Sequence, residues 1–440
     1  MEIQELYAFY KQHPVVTTDS RDCPEGSIFF ALKGESFDGN KFAAQALDKG
    51  CALAVVDDLQ VYGEALESGK SSQMLLVPDA LQAFKDLARE HRRRFDIPVL
   101  GITGTNGKTT TKELVSTVLA QKYNVLATQG NFNNDVGVPK TLLRLSPGHT
   151  IAVVEMGASH PGDIKTLAET AEPTCGLITN VGKAHLQGFG SLEGVIKTKG
   201  ELYDNLASRK GSIIFVNADN THLTGILPQE VKAVAYSRQP DVHAAVHGEF
   251  IACDPFLRLR WTSGEDNEWH EVATHLIGSY NLDNVLAAVT VGLHFGVPAH
   301  EINAAIARYV PANNRSQLTH TAHNHLIVDA YNANPTSMAA ALQNFSLMQV
   351  GPKMAILGDM RELGVSSREE HCRVIETLNH MNFDEVWLVG EEFAAIDCPY
   401  RKFADVEEVK AAISQQQPQG CYILIKGSNS LRLFQLPALL

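Results

Sequence analysis

The chain has 440 residues, 44% of them hydrophobic, and a formal net charge of −13. The length suggests about three domains with ordinary buried cores. The acidic balance argues against nucleic acid as a partner, and the absence of a long apolar run argues against membrane insertion.

Seven scattered cysteines without a CxxC pair point to reduced thiols in a cytoplasmic setting and against a structural zinc site. The opening MEIQELYAFYKQHP lacks the basic start and apolar core of a signal peptide. An anionic substrate would need positive charge focused in a cleft.

In chain order, residues 1–96 mix short strands at 27–32, 53–56 and 74–77 with helices, and close on a helix from Asp79 into the charged stretch REHRRRFDIP. From Val99 the pattern becomes strand–loop–helix: VLGIT, NVLAT, IAVVEMG, CGLITNVG and SIIFVNAD read as strands with helices between most of them. Such alternation predicts a parallel sheet covered by helices. Over 231–277, KAVAYS, FLRLRW and EVATHLIG predict an antiparallel patch, followed by helices over 280–296 and 298–309. VPANNRSQ (310–317) has no periodicity and reads as a linker and hinge. HLIVDAY, KMAILGDM, EVWLVG and CYILIKGS predict a last α/β block. The expected architecture is therefore α/β in three domains: a small N-terminal domain (1–96), a central P-loop ATPase-type parallel sheet with an antiparallel patch (97–311), and a C-terminal Rossmann-like domain (312–440).

The strongest local signal is VLGITGTNGKTTTKELVSTVL. A strand runs into Gly104, Thr105, Asn106, Gly107, Lys108, Thr109 and Thr110, then a helix. Glycines let backbone N–H groups turn toward a phosphate, and the helix N-terminus adds its positive end. Lys108 would reach the outer phosphates and the Thr109 hydroxyl would ligate Mg²⁺. The spacing departs from G-x-x-x-x-G-K-[ST], because Ile102 stands at the first glycine. Glu155 ends the strand IAVVEMG, at the edge where open α/β sheets gather ligands, and a carboxylate there suits Mg²⁺. His185 follows another strand. By itself a loop histidine is more often a hydrogen-bonded surface residue, and Mg²⁺ prefers oxygen. The Asn- and Gly-rich stretch TQGNFNNDVGVPKTLL is open to two readings, Asx-turn loop or substrate loop.

SLEGVIKTKGELYDNL predicts a helix whose apolar stripe is Leu192, Val195, Ile196, Leu202, Tyr203 and Leu206. Lys199 fills the gap in that stripe, whereas Lys197 lies off it. A buried ammonium must be paired, neutral or chemically changed, and the ordinary alternative is a lysine that snorkels to the surface.

Seven motifs occur in order: GITGTNGKTTTKE, TQGNFNNDVGVP, VEMGASHPGDI, TNVGKAHLQGFGSLEGVIKTKGE, DAYNANPTSM, ILGDMRELG and LIKGSNS. Together with TDSRDCPEGSIFFALKGESFDGNKF near the N-terminus, they resemble the Mur ligases of bacterial cell-wall synthesis over nearly the whole chain. The resemblance implies an N-terminal domain for a UDP-sugar, a central ATPase domain and a mobile C-terminal domain. YNANP and LGDMRELG resemble the branch whose substrates are a UDP-MurNAc-tripeptide and D-alanyl-D-alanine, joined through an acyl phosphate at the expense of ATP. It further implies two Mg²⁺ sites: Thr109 and Glu155 at one, His185 and a carbamylated Lys199 at the other. Asn281 and Asn284 match the adenine side, Asp329 the ribose, with Asn332 and Asn334 in the same loop. Arg315 matches an arginine directed at the phosphates, although its context is NNRSQ. Lys426, Ser20 and Arg21 match further site residues. The sequence DGN at 38–40 departs from the more usual DGH. A monomer is expected. A folylpolyglutamate synthetase would share the phosphate loop but lack the first block and YNANP. A non-catalytic nucleotide-binding module would have no use for Glu155, His185 and Lys199 together.

Overall fold

The computed structural model describes residues 3–34, 36–264, 268–311 and 317–440. Two compact units can be distinguished. The first comprises residues 1–101, 124–156 and 166–173. Its four short strands, Val16–Thr17, Ile28–Phe30, Leu53–Val56 and Met74–Leu76, form a parallel sheet in that order. Ile28–Phe30 and Leu53–Val56 are buried throughout, as strands covered on both faces must be. Phe29, Ala31, Ala54 and Val56 pack on Ala43, Ala46 and Leu47. The helix Ala80–Arg92 starts where the sequence predicts, with the Asp79 side chain accepting the Gln82 N–H. Strands Val125–Ala127 and Ile151–Glu155 pair in parallel.

This helix contributes a pH-sensitive contact. Tyr7 Oη lies 3.1 Å from His91 Nδ1, and His91 Nε2 lies 3.0 Å from the Leu145 carbonyl oxygen. The neutral ring satisfies both if Nε2–H donates to the carbonyl and Nδ1 accepts from the tyrosine. Burial lowers the His91 pKa. An unfolded histidine titrates near 6.5, so below about that pH the unfolded chain binds a proton that the folded unit resists. The contribution is complete above the unfolded pKa and is lost as pH falls through the lowered folded value. His91→Gln is therefore expected to flatten the fall in urea midpoint between about pH 7 and pH 5. Equal slopes in parent and variant would remove this assignment.

The second unit comprises residues 102–123, 157–165 and 174–440. Strands Cys175–Ile178, Ile213–Asn217, Lys232–Ser237 and Val246–Cys253 lie side by side in parallel. Phe256–Ser263 and His270–Ile277 continue the sheet antiparallel. The expected antiparallel patch is thus corrected in one respect. KAVAYS is the third of the four parallel strands, and the unpredicted strand Val246–Cys253 makes the turn to antiparallel pairing. Its sequence VHGEFIAC hides the alternation, because Gly248 takes an inward position. A Cβ there would come within 2.3 Å of Leu286 on the helix Asn281–His294. Phe256–Ser263, by contrast, alternates buried and exposed residues, the pattern of a sheet with one wet face.

The C-terminal sheet has the order Gln317–His320, His325–Asp329, Tyr422–Lys426, Lys353–Gly358, Glu385–Val389, Arg401–Phe403. Only the first pair is antiparallel. Two apolar clusters cover its two faces, as a Rossmann-like layer arrangement requires. The edge strands Gln317–His320 and Arg401–Phe403 escape sequence reading because they are short and polar. Gln317, assigned to the linker, begins the first of them, and residues 312–316 of that proposed hinge lie outside the described residues.

Candidate functional site

The strand Val99–Thr103 delivers the phosphate loop. Thr179 N donates to Thr103 O (2.9 Å), so the loop emerges beside the end of the strand Cys175–Ile178. Gly104 has φ +145°, and a Cβ on it would lie 2.0 Å from Thr179 Oγ1. Gly107 has φ +79°, and its Cβ would meet Asn284 Oδ1 at 2.6 Å. Both positions therefore demand glycine, for backbone conformation and for space. Asn180 pins the loop. Its carbonyl accepts Thr105 N (2.9 Å), its Oδ1 accepts Asn106 N (2.9 Å), and its Nδ2 donates to Asn106 O (2.9 Å). Thr179 Oγ1 also donates to Asn106 O (2.6 Å). Neither Thr179 nor Asn180 was singled out from the sequence, although both stand in the TNVG that follows a strand.

The helix Lys108–Leu119 starts at the loop, so Lys108, Thr109 and Thr110 form its first turn, where amide groups and dipole favour an anion. Lys108 Nζ donates to the carbonyls of Gly104 (2.7 Å) and Thr105 (3.0 Å). Thr109 is buried. Asn281 and Asn284 are buried too. Asn281 Nδ2 donates to Ile277 O (2.8 Å), Asn284 Nδ2 donates to Asn281 Oδ1 (2.8 Å), and Thr111 Oγ1 donates to Asn284 Oδ1 (3.0 Å). The pair thus braces the phosphate-loop helix.

In the first unit, Glu155 is 1% exposed. Its Oε1 accepts Asn133 Nδ2 (2.8 Å), and its backbone N–H donates to Thr128 Oγ1 (3.0 Å). Asn133 lies in the Asn-rich stretch whose role the sequence left open, and it orients this carboxylate. Ser20 is buried, and its carbonyl accepts Lys49 Nζ (2.6 Å). The Arg21 guanidinium is exposed and bidentate to Asp19 (2.8 and 2.9 Å). Asn40, the residue that departs from DGH, is a buried amide bonded to Asp38 and Asp57.

The helix Leu192–Ala207 matches its predicted span, and Lys199 is 2% exposed while Lys197 is exposed. Lys199 does not snorkel. Its Nζ sits 5.5 Å from the Phe189 ring centroid. Burial, with a smaller push from Lys108, drives its pKa well below the ordinary lysine value, against the pull of Asp163 and Glu201. His185 stands edge-on to the same Phe189 ring, with 6.1 Å between centroids. It precedes the short helix Leu186–Phe189 in a left-handed conformation, and its Nδ1 contacts the Glu362 carboxylate.

On the C-terminal sheet, Asp329 and Lys426 end adjacent parallel strands, the edge at which such sheets bind ligands. Lys426 is 1% exposed and donates to Asp329 Oδ2 (2.6 Å) and to Asn332 O (3.3 Å). Asn334 caps the helix Pro335–Leu347 through a capping box with Ser337. Its Nδ2 also donates to Asn106 Oδ1 of the phosphate loop (2.8 Å). Arg315 lies outside the described residues. No cluster of three or more His, Cys, Asp or Glu able to hold a metal occurs among the described residues, and no helix among them is long and apolar enough to cross a membrane.

Three family models match: "Mur ligase family, catalytic domain" over residues 14–92, "Mur ligase middle domain" over 102–292, and "Mur ligase, glutamate ligase domain" over 314–429. The UDP-N-acetylmuramoyl-tripeptide–D-alanyl-D-alanine ligase of Escherichia coli is 36% identical over 427 residues, 94% of this chain and 91% of that protein. A crystal structure of MurF from Acinetobacter baumannii superposes with a TM-score of 0.85 at 30% identity, over 96% of this chain and 92% of that one. MurF from Thermotoga maritima in complex with ADP gives 0.84 at 27%, over 97% and 96%.

Proposed function

The chain belongs to the Mur ligase family, and we propose that it uses ATP to join D-alanyl-D-alanine to UDP-MurNAc-tripeptide: its relatives' names give the two joined substrates, and a similar MurF structure is in complex with ADP. The terminal carboxylate of the tripeptide attacks the γ-phosphate, and ADP leaves. The dipeptide amine then attacks the acyl phosphate, a tetrahedral intermediate collapses, and phosphate departs as the amide forms. A carboxylate is a poor acylating agent at neutral pH, and the phosphoryl group supplies the leaving group it lacks. The observation that carries this reading is the Asn334–Asn106 contact. It places the YNANP motif, which distinguishes this branch, directly on the phosphate loop.

The residues take the following parts. The loop from Gly104 to Thr110 holds the phosphates, with Lys108 beside charge that develops on the transferring phosphoryl group. Asn281 and Asn284 hold that loop's helix from the adenine side. Asp329, Asn332 and Lys426 serve the nucleotide and substrate at the C-terminal sheet. Ser20 and Arg21 serve the UDP-sugar, and Arg315 the phosphates. The division at 96/97 and 311/312 goes with this reading, since each of the three family spans falls within one block.

For Mg²⁺, the family resemblance implies Thr109 and Glu155, and each would offer an oxygen donor of the kind it takes. His185 and Lys199 would hold a second ion. A free lysine amine suits Mg²⁺ poorly, but a carbamate on Lys199 presents oxygens, and the buried, neutral-leaning amine fits that change. When bound, the ions would neutralise phosphate charge and polarise the phosphoryl oxygens.

Phosphate release with ATP, UDP-MurNAc-tripeptide and D-alanyl-D-alanine tests the reading. Turnover is expected to require the tripeptide and to yield ADP and amide in equal amounts only when the dipeptide is present. Turnover on folate plus glutamate instead, or no dependence on the dipeptide, would overturn it.

A further inference from the structure

The chain is acidic overall, so an anionic substrate must find positive charge gathered locally. In the first unit one such charge has no use within the fold. Lys140 is half-buried on the short helix Gly137–Leu142, whose other side chains are mostly buried. Among the described residues no hydrogen-bond acceptor and no carboxylate is bonded to its ammonium group. The one carboxylate whose charge acts on it is Asp19, and Arg21 already holds that group with two bonds. Burial lowers the Lys140 pKa, against the pull of Asp19. Arg144, four residues on, adds a second cation that is exposed, with Nη1 donating to Ala127 O (3.3 Å).

A lysine in this position ordinarily carries its ammonium out to water along its stem. Lys140 keeps it 5.8 Å from the centroid of the Phe132 ring, within cation–π range. That ring is 43% exposed, yet its backbone is fixed. A Cβ on Gly137 would come within 2.3 Å of the Phe132 carbonyl carbon, so the loop closes on the start of the helix only because residue 137 is glycine. An exposed aromatic face and an ammonium with three donors therefore stand side by side on a rigid support. The same stretch reaches towards both ends of the proposed substrate. Asn133 bonds to Glu155 (2.8 Å), which belongs to the reacting end. Asp19 adjoins Ser20 and Arg21, which serve the UDP-sugar.

We propose that Lys140 binds an oxyanion of UDP-MurNAc-tripeptide that lies between the uridine and the reacting carboxylate, with the Phe132 ring as the floor of that subsite. The diphosphate and the peptide carboxylates share this chemistry. The proposal rests on the reading of the chain as a ligase for this substrate, and it adds to that reading a residue that selects the substrate by charge.

The test uses the full chain, with calorimetric titration of UDP-MurNAc and of UDP-MurNAc-tripeptide alongside initial rates of phosphate release. Lys140→Met keeps the stem against Phe132 and removes the charge. Its Kd and KM for the tripeptide substrate are expected to rise about 10-fold, the scale of one charge-assisted hydrogen bond. The value of kcat and the KM for ATP should stay at parental levels. The melting temperature should hold or rise, because a half-buried unpaired charge has gone. Lys140→Arg keeps the charge and is expected to recover most of the affinity, whereas a residue that only packed would tolerate methionine and resist arginine. Equal losses for UDP-MurNAc and the tripeptide would place the contact at the diphosphate, and a loss confined to the tripeptide would place it at a peptide carboxylate; both support the proposal. Parental Kd and KM in Lys140→Met would overturn it and leave the ligase reading in place. A parent protein that neither binds nor turns over the tripeptide would overturn both.

Discussion

Lys108→Ala is expected to lower kcat by on the order of 10²- to 10³-fold, the usual cost of removing one charge-stabilising donor from a water-excluded site. The physical basis is the geometry of the phosphate loop. Lys108 Nζ reaches back to the carbonyls of Gly104 and Thr105, which keeps its charge on the phosphate loop itself. Those two bonds can be exchanged for phosphate oxygens without moving the backbone, because Asn180 and Thr179 hold the loop independently. The melting temperature should therefore change little while turnover collapses. Initial rates of phosphate release, with melting curves on the same samples, check both halves. A variant within a few-fold of parental kcat would remove the phosphate-loop assignment.

The contrast between Lys108 and Asn180 shows what sequence reading can reach. Lys108 stands in a run of glycines between a strand and a helix, so a local pattern reveals it. Asn180 is 72 residues further on and touches the loop because it follows a strand whose end bonds to Thr103. No spacing rule connects them. The same holds for Asn133 on Glu155 and for Glu362 on His185. Each supporting group comes from a distant loop, and each becomes visible only in the folded chain. The parallel strands were legible because both their faces are buried, which makes continuous apolar runs. Gln317–His320 and Arg401–Phe403 were not, because an edge strand of three or four polar residues looks like a loop. KAVAYS was placed in the wrong pairing for a related reason. Residue alternation reports which face is wet, and the direction of the neighbouring chain leaves no mark on it.

Lys199→Ala is expected to lose activity on the order of 10²-fold or more, the scale of several kcal/mol of charge stabilisation. The sequence raised the question by placing a cation in an apolar stripe, and the structure sharpens it. Lys199 is 2% exposed, against the Phe189 ring, with a pKa driven well below normal by burial. A residue of this kind either weakens the fold to no purpose or is used as a neutral amine. Only the neutral amine attacks CO₂: the nitrogen forms a bond to carbon, one proton leaves, and an anionic carbamate results. On the proposed reading the step would convert a disfavoured cation into an anion that presents oxygens near Phe189, where His185 also packs, and Lys108 would turn from a repelling charge into an attracting one. Lys199→Met separates the two possibilities, since it keeps the volume and removes the amine. It is expected to be as stable as the parent or more so, yet inactive. A short carboxylic acid should restore part of the activity to Lys199→Ala by supplying the missing carboxylate in the space left behind. With ¹³C-bicarbonate, the parent should show a carbamate resonance that both variants lack. An active Lys199→Met enzyme, or a parent that turns over at full rate without that resonance, would leave Lys199 as a buried lysine with no chemical role.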